Sequence, residues 1–227
     1  MSIFWLMLHL IPLNNDTAYF VGIIKYEIKT TSFRESGEIK ENSDTMTYYI
    51  SKNRIKIITN RKWKIRDQEI SYSIYDYLSG RFDTYLTGSN TVFSTKMSKP
   101  IKSHEIQDKN DSMQVMSFLC KKFDAQTKST LSDNHIQSEN NIQASIWVTK
   151  DLKFQLPFGY YDELFSNTTG YIALYCESEN NNHTESNVSG YKKNFHLKST
   201  TRAIEIIAKK LPDSEFTYPP NVKVIGN

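Results

Sequence analysis

Ile70-Ser71-Tyr72-Ser73-Ile74-Tyr75-Asp76-Tyr77-Leu78 decides the fold class. Ile70, Tyr72, Ile74 and Leu78 fall on one side of an extended chain, and Ser71, Ser73, Tyr75 and Tyr77 on the other. That period of two, rich in β-branched and aromatic residues, is the signature of a half-buried strand. Ser79-Gly80-Arg81 turns the chain into Phe82–Thr87, and Gly88-Ser89-Asn90 turns it again into Thr91–Thr95. Short strands joined by tight turns make an antiparallel meander.

The same period extends outward. In Tyr19–Lys29, one face carries Phe20, Gly22, Ile24, Tyr26 and Ile28. The other begins apolar with Tyr19, Val21 and Ile23 and becomes polar at Lys25, Glu27 and Lys29. Met46, Tyr48 and Ile50 alternate next, and Ser51-Lys52-Asn53 leads into Arg54–Thr59. The spacing predicts a loop over Lys96–Ser112, broken by Pro100. It predicts a hairpin of Met113–Gln126 with Ile142–Asp151 through a polar connection, Thr127–Asn141. The last strands are expected at Gly170–Glu177, Tyr191–Lys198 and Thr201–Leu211, with Glu177–Gly190 a mobile loop and a helical turn at Tyr160–Phe165. Without βαβ alternation, the expectation is a mainly β domain over residues 19–227. Its antiparallel sheet is expected to be strongly curved into a half-open barrel, with at most one or two short helices.

Residues 1–18 read as a signal-peptide-like or disordered segment. The apolar run Ile3–Ile11 stops at Pro12 and has the length of a signal-peptide core, although no Lys or Arg precedes it. A first strand or an amphipathic arm is the alternative. The run makes export the expectation, with no transmembrane span, because no apolar run reaches the roughly 18 residues a helix needs.

The 28 basic and 25 acidic residues, net +3, form no single-sign block, which argues against a nucleic-acid partner. The five histidines lack metal-ligand spacing, and no Walker loop, G-x-S-x-G or G-x-G-x-x-G occurs. The sequence therefore leads us to expect no enzyme, no metal and no cofactor. Cys120 and Cys176 stand on separate expected strands; export would permit a disulfide between them, and two buried thiols is the other reading.

Fourteen Tyr, twelve Phe and three Trp supply the feature with functional content. A sheet that curls without closing leaves a concave face to be filled by its own side chains, by an acyl chain or other apolar ligand, or by stacked sugars. Tyr26, Ile28, Met46, Tyr48, Tyr72, Ile74 and Trp147 are the candidate ligand-binding residues, on strand positions expected to face inward. Each CH₂ removed from water there would contribute about 0.8 kcal/mol.

Several short motifs carry a family resemblance. They are Gly22-Ile23-Ile24-Lys25-Tyr26-Glu27-Ile28, Tyr49-Ile50-Ser51-Lys52-Asn53-Arg54-Ile55-Lys56, Cys120-Lys121-Lys122-Phe123, Ile146-Trp147-Val148-Thr149-Lys150-Asp151-Leu152 and Phe216-Thr217-Tyr218-Pro219-Pro220. In this order they resemble the GLPGLI family of secreted or periplasmic Gram-negative envelope proteins of unknown function, which implies a location in the periplasm or at the cell surface of a Gram-negative envelope. The Leu-Pro-Gly-Leu-Ile motif appears here as Thr168-Thr169-Gly170-Tyr171-Ile172, and the glycine before the family's cysteine is replaced within Met116–Leu119. The resemblance implies a curved antiparallel sheet similar in shape to the periplasmic lipoprotein-carrier proteins, with a lipid or lipoprotein acyl chain as ligand or an envelope protein as partner. The alternative is a structural or protein-interaction protein with a self-filled core and no small-molecule ligand.

Overall fold

The computed structural model describes residues 19–33, 36–62, 64–65, 67–96, 105–132, 136–153, 171–186 and 192–226. The expected leader over residues 1–18, the helical turn at Tyr160–Phe165 and the Thr168-Thr169-Gly170 part of the family motif lie outside them.

The strands are β1 (Gly22–Phe33), β2 (Ile39–Ile50), β3 (Arg54–Thr59), β4 (Lys64–Ile65), β5 (Gln68–Asp76), β6 (Arg81–Leu86) and β7 (Thr91–Lys96). They continue with β8 (Glu105–Val115), β9 (Phe118–Ser132), β10 (Ile136–Lys153), β11 (Tyr171–Ser186), β12 (Lys192–Ala208) and β13 (Lys223–Gly226). All except β4, which pairs only with β5, lie in one path ordered β13-β7-β6-β5-β3-β2-β1-β12-β11-β10-β9-β8. Neighbours are antiparallel apart from β13, which runs parallel to β7. The path has two ends, so the sheet is not closed into a barrel. Asp213–Phe216 forms a short 3₁₀ turn.

Local chemistry accounts for the turns. Gly80, with φ 67°, closes the β5–β6 hairpin, its N–H donating to the Asp76 carbonyl at 2.9 Å. At the β2–β3 turn, Ser51 N–H donates to Arg54 O (2.8 Å) while Arg54 N–H donates to Ser51 Oγ (2.9 Å). Met116 occupies the left-handed region, φ 55°, in the two-residue β8–β9 turn, a conformation that favours Gly or Asn.

Three expected loops are strands instead. Within Lys96–Ser112 the chain forms most of β8, so Met113–Val115 ends that strand and the β8–β9 turn falls at Met116-Ser117. The connection Thr127–Asn141 is largely the outer ends of β9 and β10, and Glu177–Gly190 carries β11 on to Ser186. Tyr191–Lys198 and Thr201–Leu211 are joined in the single strand β12, which stops at Ala208. These segments are polar on both faces. Ladder hydrogen bonds hold a wet strand as well as a dry one, but a wet strand lacks the apolar alternation by which a strand is read.

Beyond β12 the chain becomes a strap. It crosses behind β1, β2, β3, β5 and β6 and ends as β13 beside β7. Leu211 and Phe216 bury against Ile23 with Tyr49 packed beside them, Lys56 pairs with Glu215 at 2.8 Å, and Asn90 Nδ2 donates to the Asn221 carbonyl at 3.1 Å.

Candidate functional site

Residues directly opposite each other in a ladder share a face, so the register assigns every side chain to one of two faces. Tyr26 lies opposite Met46, Ile24 opposite Tyr48, and Tyr48 opposite Ile57. Gly22, Ile50, Ile55, Tyr75 and Phe82 form a parallel row on that same face. Farther along β1, Ile28 is in line with Thr201, Cys176 and Ile146. This is the apolar face. Ile24, Tyr26, Ile50, Ile55 and Tyr75 are completely inaccessible and Tyr48 nearly so. Tyr26 and Tyr48 meet edge to face at 5.5 Å, and the Tyr26 hydroxyl donates to the Ala173 carbonyl at 2.9 Å. A buried phenol with its one donor satisfied is a core residue.

The candidate residues divide between the faces. Tyr26, Ile28, Met46 and Tyr48 share the apolar face, Ile28 and Met46 being only half-buried. Ile74 lies opposite Lys56, Tyr49 and Ile23, which places it on the other face. Tyr72, two residues away, is there too: its hydroxyl donates to Thr217 O in the strap (3.0 Å), its ring stacks on Tyr218 and Lys56 Nζ sits 4.6 Å from its centroid. Burial first, then the charge interactions with Tyr85 and Glu215, raises the Tyr72 hydroxyl above its ordinary pKa. Trp147 is in line with Tyr175, Arg202 and Glu27, again on the second face. The seven residues therefore do not form one inward surface. The expectation failed because one residue of register between ladders exchanges the faces, and the sequence does not specify that register.

Cys120 and Cys176 are buried thiols, not bonded to each other. They stand on β9 and β11 with β10 between, about 9.6 Å apart at the least, and they point to opposite faces: Cys176 is opposite Ile146, whereas Cys120 is opposite Thr149. A disulfide needs Cα atoms about 4.4–6.8 Å apart. Burial pushes the Cys120 thiol up to about 11, so it is a poor nucleophile.

The second face carries a polar trough that sequence reading missed. Its floor is built from successive ladder rows. One runs Lys29–Thr200–Glu177–Ser145–Asp124–Gln107 across β1, β12, β11, β10, β9 and β8. The next runs Thr31–Lys198–Glu179–Gln143–Gln126, and a third Phe33–His196–Asn181–Asn141–Lys128. The first two rows line a cavity of about 560 Å³, and the third lines part of a further recess of about 520 Å³. Ser145 donates to Asp124 Oδ1 (2.7 Å), His196 Nε2 lies 2.7 Å from Glu179 Oε1, and Tyr175 donates to Glu177 Oε1 (2.7 Å). Burial, followed by that bond to Glu177, lifts the Tyr175 phenol to about 12. The only sequence signal for the trough was the alternation Glu177-x-Glu179 and Lys29-x-Thr31, which reads equally as solvated surface. Among the described residues, no group of three or more His, Cys, Asp or Glu side chains is placed to hold a metal ion.

The fold and this surface define a protein built on one large, open antiparallel sheet. No protein-family model matches the chain and no curated protein matches it, so the GLPGLI likeness rests on short motifs alone. Among solved structures the chain is similar to PNGF-II (TM-score 0.44, 16% identity), covering 90% of this chain and 32% of that one. It is also similar to a LolA superfamily protein from Nitrosomonas europaea (TM-score 0.33, 7% identity, 86% of this chain and 90% of that one). A third likeness is to lipovitellin (TM-score 0.39, 9% identity, 86% and 26%). The chain thus spans about a third of the length of PNGF-II. Likenesses this distant assign neither ligand nor role.

Proposed function

We propose that the chain is a non-enzymatic protein of the cell envelope that works through contact with a partner, its sheet bent strongly over a core that its own side chains fill. The observation that carries this reading is the state of the apolar face: Tyr26 is fully inaccessible, Tyr48 is 2% exposed, and the Tyr26 hydroxyl is bonded across the sheet to Ala173. An acyl chain seated on that face would have to displace these rings and break that bond. The burial of Ile24, Tyr26, Tyr48, Ile50, Ile55 and Tyr75 on one face of a single open sheet also supports strong curvature, because a flat layer would leave them wet. Export is supported by the apolar run Ile3–Ile11.

Fluorescent fatty-acid titration, paired with native mass spectrometry of the protein purified from its own cells, tests the reading. The expected result is no saturable binding and no co-purified lipid. Stoichiometric fatty-acid binding that disappears in a folded Met46→Glu variant would overturn it and restore the acyl-chain carrier, with Ile28 and Met46 at the mouth of its groove.

A further inference from the structure

The polar trough has a composition that selects a ligand class. Lys29, Lys109 and Lys198 stand among Asp124, Glu177 and Glu179 around one cavity. The charges are partly matched: Lys198 lies 3.8 Å from Glu179 and Lys109 3.7 Å from Asp124. A strongly anionic ligand entering here would meet three carboxylates, and a cationic one three ammonium groups. An apolar chain would strip water from all of them, the least favourable of the three. A neutral, hydroxyl-rich ligand meets no like charge, and its own hydrogen bonds replace those of the water it displaces. Each of its hydroxyls can donate to a carboxylate and accept from a lysine, and the Gln126 and Gln143 amides in the same cavity both donate and accept, as do Asn141 and Asn181 in the adjoining recess.

The ends of the trough add a second feature. One row before Lys29, the part-exposed Tyr175 ring packs on Trp147 at 5.0 Å between centroids, Trp147 itself being buried at 7% exposure and serving as its backing. At the far end Phe33 and His196 stack at 4.6 Å, nearly parallel. These aromatic rows are set by Glu27 and Phe33 of β1, about 20 Å apart along the strand. Polar floor between two aromatic ends suits an extended ligand with both hydroxyl edges and C–H faces. The cavity itself is within the range of about 300–1,000 Å³ typical of small-molecule sites.

We propose that this trough binds a neutral oligosaccharide, with the floor charges and amides reading its hydroxyls. The site lies on the face opposite the buried tyrosines, so it stands whether or not the apolar face accepts a fatty acid.

The test is titration of the whole chain, by calorimetry and ligand-observed NMR, with neutral hexasaccharides of glucose, mannose, xylose and N-acetylglucosamine, and with an oligogalacturonate as the anionic counterpart. At least one neutral oligomer is expected to bind with a dissociation constant below about 5 mM. A Glu179→Ala/Lys198→Ala double variant, which removes one half-buried carboxylate and one exposed ammonium group, should weaken that binding at least about tenfold, while Lys223→Ala on β13 leaves it unchanged. Failure of every neutral oligomer to bind, equal binding by the double variant, or tighter binding of the oligogalacturonate would each overturn the proposal.

Discussion

The Tyr218 hydroxyl donates to Asp83 Oδ2 at 3.0 Å, joining the strap to β6 across 135 positions of sequence. Arg81 holds the same oxygen, its Nη2 at 2.7 Å. Asp83 is only 3% exposed, so its carboxylate depends on these donors. Tyr218→Phe should therefore lower stability by about 1–3 kcal/mol, read as a shift in the urea midpoint. An unchanged midpoint would mean that the strap's other contacts, Leu211 and Phe216 against Ile23 and Lys56 with Glu215 among them, hold it without this bond.

Gly22 has no room for a side chain: a Cβ there would lie 2.1 Å from the Ile207 carbonyl oxygen, on the seam between β1 and β12. Gly37 has φ +80° but nothing within 4 Å. Gly22→Ala is expected to cost more than about 3 kcal/mol or to abolish soluble expression, whereas Gly37→Ala should cost about 1 kcal/mol. Thermal melts of the two variants side by side check the order.

Met116 holds a left-handed backbone conformation with its side chain 41% exposed. It sits in the stretch where the resembling family has glycine. Met116→Gly or Met116→Asn should relax the β8–β9 turn and stabilise the protein by about 1 kcal/mol. A lower urea midpoint in both variants would contradict this.

Asp76 should shape the acid limb of stability. Burial alone would raise its carboxyl, but the Ser79 backbone N–H (2.9 Å), the Arg54 guanidinium (3.1 Å) and the Ser79 hydroxyl (3.0 Å) outweigh burial and hold it below the usual range. A carboxyl depressed in the folded state adds stability above its unfolded pKa and loses it as pH falls through the folded value. That contribution should be present at neutral pH and fade below about pH 4. Asp76→Asn should be less stable than the parent at pH 7 and converge with it at about pH 2, as followed by denaturation across pH.

Both cysteines should be silent in the folded protein and reactive once it is unfolded. With Cys120 lifted to about 11 and both thiols buried, a thiol reagent at pH 8 should label neither. In guanidinium without reductant it should label both. Absence of any label under those conditions would reinstate a disulfide.

What the sequence disclosed was decided by water. The alternation in Ile70–Leu78 and Gly22–Ile28 was legible because one face of each segment is dry, and the hairpins at Ser51–Asn53, Ser79–Arg81 and Gly88–Asn90 carry their own turn chemistry. The wet halves of β9, β10 and β11 offered no such contrast. For the candidate site, alternation within one strand was readable but parity between strands was not: Tyr72 and Tyr26 each alternate correctly, yet the ladder from β5 through β3 and β2 to β1 sets them on opposite faces. The strap was hidden for another reason. Leu211, Phe216 and Tyr218 form no regular apolar period, because the chain passes over the strands instead of pairing along one, Leu211 and Phe216 packing at Ile23 and Tyr218 on Tyr72.

The position of β1 has a kinetic corollary. On one flank it zips to β2 through a short hairpin, but on the other it waits for β12, with Gly22 meeting Ala208. Nearly the whole chain is the loop that this contact must close, and the strap that follows β12 must reach back over a similar separation. Topologies dominated by such distant pairings fold in milliseconds to seconds instead of microseconds, leaving each half-sheet with an open margin in the meantime, the interval in which self-association competes with completion.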